Sequence, residues 1–191
     1  MSERIGFDTY RADGLCSQSS GRRYMNVRIG YSTTGSILSR LIRFCTGGMV
    51  SHAFAVFYDP AFDCDMVLEA DWNGVVVKTL AKAKRERNIV AILKPPHPID
   101  AGLKAAADWL DEQYDYGGLV GMLFVMLWRR LGRRMHNPLH SSHALFCSDA
   151  MALLMQKGGY QSAETLDPSA CDPEALMHWQ LDTGSTLDMA A

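Results

Sequence analysis

The stretch SHAFAVFYDP, Ser51 to Pro60, decides how the rest of the chain is read. It is rich in aromatic and apolar residues, follows Gly47-Gly48 and is closed by Asp59-Pro60, which together mark a strand. Two more strand-like runs come directly after it, CDMVLEAD (Cys64 to Asp71) and GVVVKTL (Gly74 to Leu80), joined by the turn-prone WNG. Three short consecutive strands predict an antiparallel meander. Upstream, NVRIGYS alternates as a strand does, and in TTGSILSRLIRFCTGG the residues Ile37, Leu38, Leu41, Ile42 and Cys45 share one helical face, with Gly47-Gly48 as the stop. Downstream, the charged AKAKRERN reads as a solvated helix rather than a basic binding patch, and IVAILKPP as a further strand closed by prolines. From Ile99 the pattern turns helical: IDAGLKAAADWLDEQY, then GLVGMLFVMLWRRLGRR, then CSDAMALLMQKGG ended by Gly158-Gly159, then DPEALMHWQL with proline in its first turn. The expectation is one α+β domain over residues 1–191, an antiparallel sheet packed against helices, with a loosely held lead-in at 1–24 and a frayed tail at 183–191.

Composition narrows the function classes. A chain of 191 residues can bury a core without disulfides or a structural metal, and a net charge of -2 lacks the basic footprint of a nucleic-acid binder. The five cysteines, at 16, 45, 64, 147 and 171, form neither a CxxC pair nor a Cys/His cluster at zinc-ligand spacing. No metal or cofactor is expected, and a reducing compartment fits. The first 24 residues lack an apolar stretch followed by a small-residue cleavage site, so a cytoplasmic location is expected. The run Gly118 to Trp128 has eleven residues, against about 20 for a membrane-spanning helix. Two roles stand open for residues 118–134: burial in the core, or peripheral contact with an anionic membrane through an apolar segment that ends in RRLGRR.

Chemistry centres on LFCSDAM, Leu145 to Met151, where Cys147 stands at the start of an apolar helix. A cysteine attacks as thiolate, and a helix N-terminus favours that form because its unpaired N–H groups and dipole attract negative charge. The same position also suits a small buried hydrophobe, so position alone leaves both readings standing. A thiol nucleophile needs a base that is distant in sequence and near in the fold. Of six histidines, His97 lies between prolines, His136, His140 and His143 lie in the polar connector MHNPLHSSH, and His178 is on the last helix. His52 instead opens an apolar strand just after the Gly-Gly turn, where its ring can face a cleft at a sheet end. A third group must hold the ring, and Glu69 is an acid inside the neighbouring apolar strand; if the strands pair, it can meet His52 on one face. An outward-facing acid is the other reading, for Glu69 or for Asp71.

The stretches LIRFCTGGMVSHAFAVF, VLEADWNGVVV, YDYGG and LFCSDAM, in that order, resemble the circularly permuted papain-fold hydrolases of the YiiX and YaeF type, relatives of the NlpC-type cell-wall peptidases and of lecithin retinol acyltransferase. The similar stretches span Thr33 to Gly159. The resemblance implies a permuted papain-like fold and a triad of His52, Glu69 and Cys147, in an order inverted relative to papain. It further implies a cysteine hydrolase or acyltransferase that works through a thioester on a peptide amide or a lipid acyl bond. Tyr114 or Tyr116 resembles a tyrosine kept near the site in that family and could hold the substrate; packing between helices is the alternative. Asp149 replaces a common glutamate, and the apolar insertion before the cysteine bears on the substrate class. A non-catalytic module with a papain-like groove, or a structural component of a larger assembly, remains the alternative function.

Overall fold

The computed structural model describes residues 25–71, 74–110, 117, 121, 124–128, 132, 146–168 and 171–188. Six strands form one sheet: β1 (Arg28–Thr33), β2 (His52–Asp59), β3 (Cys64–Asp71), β4 (Gly74–Thr79), β5 (Asn88–Lys94) and β6 (Thr186–Leu187). Their order across the sheet is β4-β3-β2-β1-β5-β6, with every neighbouring pair antiparallel. The expected meander is β2-β3-β4. β1 joins it on the free side of β2 and carries β5 on its own other edge. Thr186 and Leu187 fall within the stretch expected to fray, and they pair with Lys94 and Leu93 at the sheet edge.

The helices are α1 (Ile37–Thr46), α2 (Leu80–Glu86), α3 (Asp100–Ala105), α4 (Cys147–Lys157) and α5 (Pro173–Asp182), and residues 124–128 are helical as well. α3 is shorter than its predicted run, giving way to a 3-10 turn at Ala106–Trp109. Pairing period sorts the strand residues into two faces. Ile29, Tyr31, Ala53, Ala55, Leu68 and Ala70 face the main core, which α4 and α5 cover with Met151, Leu154, Met155 and Leu176. Small residues on β2 let α4 lie close to the sheet, and a Cβ at Gly102 would stand 1.9 Å from the Leu154 carbonyl oxygen, so α3 crosses α4 at backbone contact. The opposite face holds Phe54, Val56, Val67 and Ile92 beneath Leu80 and Ala83 of α2. The charged run read as a solvated helix is thus half a lid on that second cluster.

α1 departs from its predicted face. Ser39, Ile42 and Cys45 are buried, whereas Ile37 and Leu41 point to solvent. The reason is polar: the Ser39 hydroxyl lies 2.7 Å from that of Ser51 and 3.1 Å from that of Thr33, and accepts the Thr34 N–H. These bonds turn α1 toward the ends of β1 and β2 and hold the residue just before His52. Two glycines then turn the chain into β2. Gly47 has φ 73°, the left-handed form that closes a helix, and a Cβ on Gly48 would strike the Glu174 carboxyl at 2.2 Å. That carboxyl accepts the N–H groups of Met49 (2.8 Å) and Val50 (2.9 Å), tying the start of β2 to α5. Among the described residues no helix is long and apolar enough to cross a membrane. In the apolar segment before the cysteine, Val125 and Met126 are buried with Cys45 and Phe146, while Phe124 and Leu127 are exposed. Core burial, the first of its two expected roles, holds for one side of those residues only.

Candidate active site

Glu69 sits inside β3 on the α2 side of the sheet and is fully buried. A lone carboxylate there would be driven to protonate. Instead, its Oε2 lies 2.7 Å from His52 Nε2, its Oε1 lies 2.5 Å from Lys78 Nζ and 3.0 Å from Arg87 Nη2, and Arg87 Nη1 closes a second bond to Oε2. Burial pushes the carboxyl up, but the His52 hydrogen bond and charge, with those of Arg87 and Lys78, hold its pKa at about 2. Each cation is itself anchored. Lys78 also bonds Glu86 at 2.7 Å, and the Arg87 guanidinium lies over the Phe54 ring, 5.9 Å from its centre. Phe54 in turn stacks with the His52 ring at 6.1 Å. The Phe54 ring can occupy that place because its register partner on β1 is Gly30, where a Cβ would meet the ring at 2.3 Å.

His52 opens β2 and pairs with Ser32 of β1, so its ring stands at the sheet end, with 18% of the side chain exposed. With Nε2 engaged by Glu69, Nδ1 is the ring nitrogen left over, and the ring stands near enough to the Cys147 sulfur for each to shift the titration of the other. Burial lowers the affinity of the ring for a proton, yet the Cys147 sulfur and the Glu69 carboxylate outweigh it and raise the pKa to about 9.

Cys147 is the first residue of α4, as expected. The preceding Phe146 is the cap, extended at φ −107° and ψ 168°, and it gives the helix no side-chain cap bond. Of the first-turn N–H groups, that of Ser148 is directed at the sulfur. Burial pushes the thiol up. The His52 charge and hydrogen bond, followed by the N–H groups of Ala53 and Ser148, bring it below its ordinary value. Ser148 donates its hydroxyl to the Cys171 carbonyl at 2.6 Å and locks α4 to the loop ahead of α5.

The structure thus brings His52, Glu69 and Cys147 together, the first two by a direct hydrogen bond and the thiol within electrostatic reach of the ring. Tyr114 and Tyr116 lie outside the described residues. Asp71 ends β3 beyond the buried stretch, so of the two acids weighed for the ring, Glu69 is the one in contact. A cleft of about 420 Å³ opens at the same end of the sheet, bounded in part by Thr33 and Thr34 after β1 and by Arg87 and Asn88 at β5. Lys78, Arg87 and Phe54 were missed in the sequence reading. The available signal was a lone lysine in GVVVKT sharing strand parity with Val76, the residue that pairs with Glu69. Among the described residues no group of His, Cys, Asp or Glu side chains could hold a metal ion. The chain matches no protein-family model and no curated protein sequence.

Proposed function

We propose that the protein is a cysteine hydrolase or acyltransferase of permuted papain-like fold, acting through a thioester on an amide or acyl ester. The observation that carries this reading is the buried chain from Glu69 through His52 to a cysteine at an uncapped helix start. A merely structural thiol needs neither a charged imidazole nor two backbone donors. The strand-borne histidine, the acid on the next strand and the late cysteine also follow the order of the permuted hydrolases that the sequence resembles.

The resting site is a thiolate and imidazolium pair. The Cys147 thiolate adds to the substrate carbonyl carbon, and the carbonyl π pair moves onto oxygen. The N–H of Cys147, at the open first turn of α4, is placed to stabilise that oxyanion. Collapse of the tetrahedral intermediate breaks the C–N or C–O bond, and His52 gives its proton to the leaving amine or alcohol. Water, or an acceptor alcohol or amine, then attacks the thioester while neutral His52 takes its proton. The second collapse returns the Cys147 thiolate and the charged ring. Glu69 keeps Nε2 protonated and stabilises the imidazolium. Lys78 and Arg87 let the carboxylate stay charged out of water.

The test is the pH dependence of Cys147 alkylation by iodoacetamide, followed on the modified peptide by mass spectrometry. Wild type should label rapidly at pH values well below the roughly 8.5 of a free thiol, and His52→Ala should lose that limb. Slow labelling indifferent to His52 would sink the catalytic reading and leave a binding groove.

A further inference from the structure

α1 turns apolar side chains outward. Ile37 is 85% exposed, Leu41 43%, and Met49, just past the helix, 64%. Residues 124–128 present Phe124 and Leu127 in the same way, while Val125 and Met126 pack with Cys45 of α1 and with Phe146. That shared cluster makes the two exposed patches neighbours, and Phe146 directly precedes Cys147. The buried cluster beneath both patches thus reaches the residue next to Cys147.

Charge is segregated onto the same segments. Residues 33–50 and 116–148 contain six arginines, at 40, 43, 129, 130, 133 and 134, and no lysine, aspartate or glutamate. The whole chain carries -2, so the remaining residues hold eight more acids than bases. We propose that this face docks on an anionic lipid surface, Ile37, Leu41 and Phe124 entering the headgroup boundary and Arg40 and Arg43 of α1 meeting phosphates. A second copy of the chain fits the face poorly, because a twofold contact would set Arg40 and Arg43 against their own copies with no acid in residues 33–50 to meet them. The docking goes beyond the acyl-transfer reading. Only the corollary, that substrate is drawn from the bilayer, rests on it.

Flotation with extruded vesicles at physiological salt tests the docking with the full chain and without turnover, so it is scored apart from catalysis. Wild type should rise with phosphatidylcholine vesicles containing phosphatidylglycerol and stay at the bottom with phosphatidylcholine alone. Ile37→Glu/Leu41→Glu should bind the anionic vesicles at least about tenfold more weakly, by loss of apolar insertion and added repulsion. Both positions are exposed, and a urea melt matching wild type checks that the variant folds. Wild type remaining at the bottom with both vesicle types overturns the proposal, as does a folded double variant that floats like wild type. Sedimentation showing a wild-type dimer that the double variant disperses would give the face to a second copy and overturn it as well.

Discussion

On the α2 side of the sheet two buried ion networks flank one apolar cluster. At one end Arg28, 1% exposed, is held by Asp65 at 2.8 Å and Asp188 at 2.6 Å. At the other end Glu69 is held by His52, Lys78 and Arg87. Phe54, Val56, Val67 and Ile92 fill the space between. The Arg28 network joins β1, β3 and the chain just after β6, and pairs one guanidinium with two carboxylates. The Glu69 network has the same construction with signs reversed, but one of its members, His52, is a proton carrier held charged to about pH 9 and set beside a thiol. Buried ion pairs contribute little to stability once desolvation is counted. The first network is explained by register and closure of the sheet edge. The second has a further use, holding a proton carrier in one orientation with its charge settled.

Substitutions sharpen the contrast. Glu69→Gln leaves Lys78 and Arg87 facing each other out of water, and should cost about 3 kcal/mol in urea melts. It should also remove the low-pH limb of Cys147 alkylation. Asp188→Asn, the matching change in the other network, leaves Asp65 on Arg28. A loss of about 1 kcal/mol is expected with alkylation unchanged. If Asp188→Asn slowed alkylation as much as Glu69→Gln, the two networks would be one structural unit and the contrast would fail. Arg87→Gln falls between them, at about 2 kcal/mol for a lost bidentate charged contact. Because Arg87 holds the Glu69 pKa down, its loss should move the acid limb of stability to higher pH, with neutral-pH alkylation kept by His52.

Much of this site was legible in the sequence, for a physical reason. His52 and Glu69 interrupt apolar strands, and alternation forces an interrupting residue onto one of two faces, so a meander can bring them together. Cys147 was legible because its helix starts abruptly. The cations were not: Arg87 stands among charged neighbours in AKAKRERN, where a solvated reading is the default, and Lys78 is a lone lysine near the end of its strand, where an exposed reading is the default. The α1 face was misjudged for a related reason: periodicity counts Ile37 and Leu41 as inward, whereas Ser39, bonded to Ser51, sets the rotation of the helix. β6, two residues long, carries no period to read. The place of β1 between β2 and β5 is a nonlocal pairing that no local pattern encodes.

The smallest effect separates the networks by proton count. A His52 pKa raised to about 9 contributes stability that is full below its ordinary 6.5 and is lost as pH rises through about 9. A lowered Cys147 pKa runs the other way, contributing above the ordinary 9.0 and losing that contribution as pH falls through its folded value. Between pH 6.5 and 9 the raised imidazole keeps a proton that the unfolded ring has lost, and the lowered thiol runs the other way. The counts cancel, so wild-type stability from this pair should be flat across that window. Cys147→Ala removes the compensating thiol while Glu69 still raises His52, and stability should then decline across the window by about 1 kcal/mol, a part of the 1.36 kcal/mol per unit that each shift is worth. Urea melts at intervals through that range would show it. A slope in wild type would mean that the native and unfolded pairs hold different numbers of protons in that range, and no slope in Cys147→Ala would mean that Glu69 alone does not raise His52.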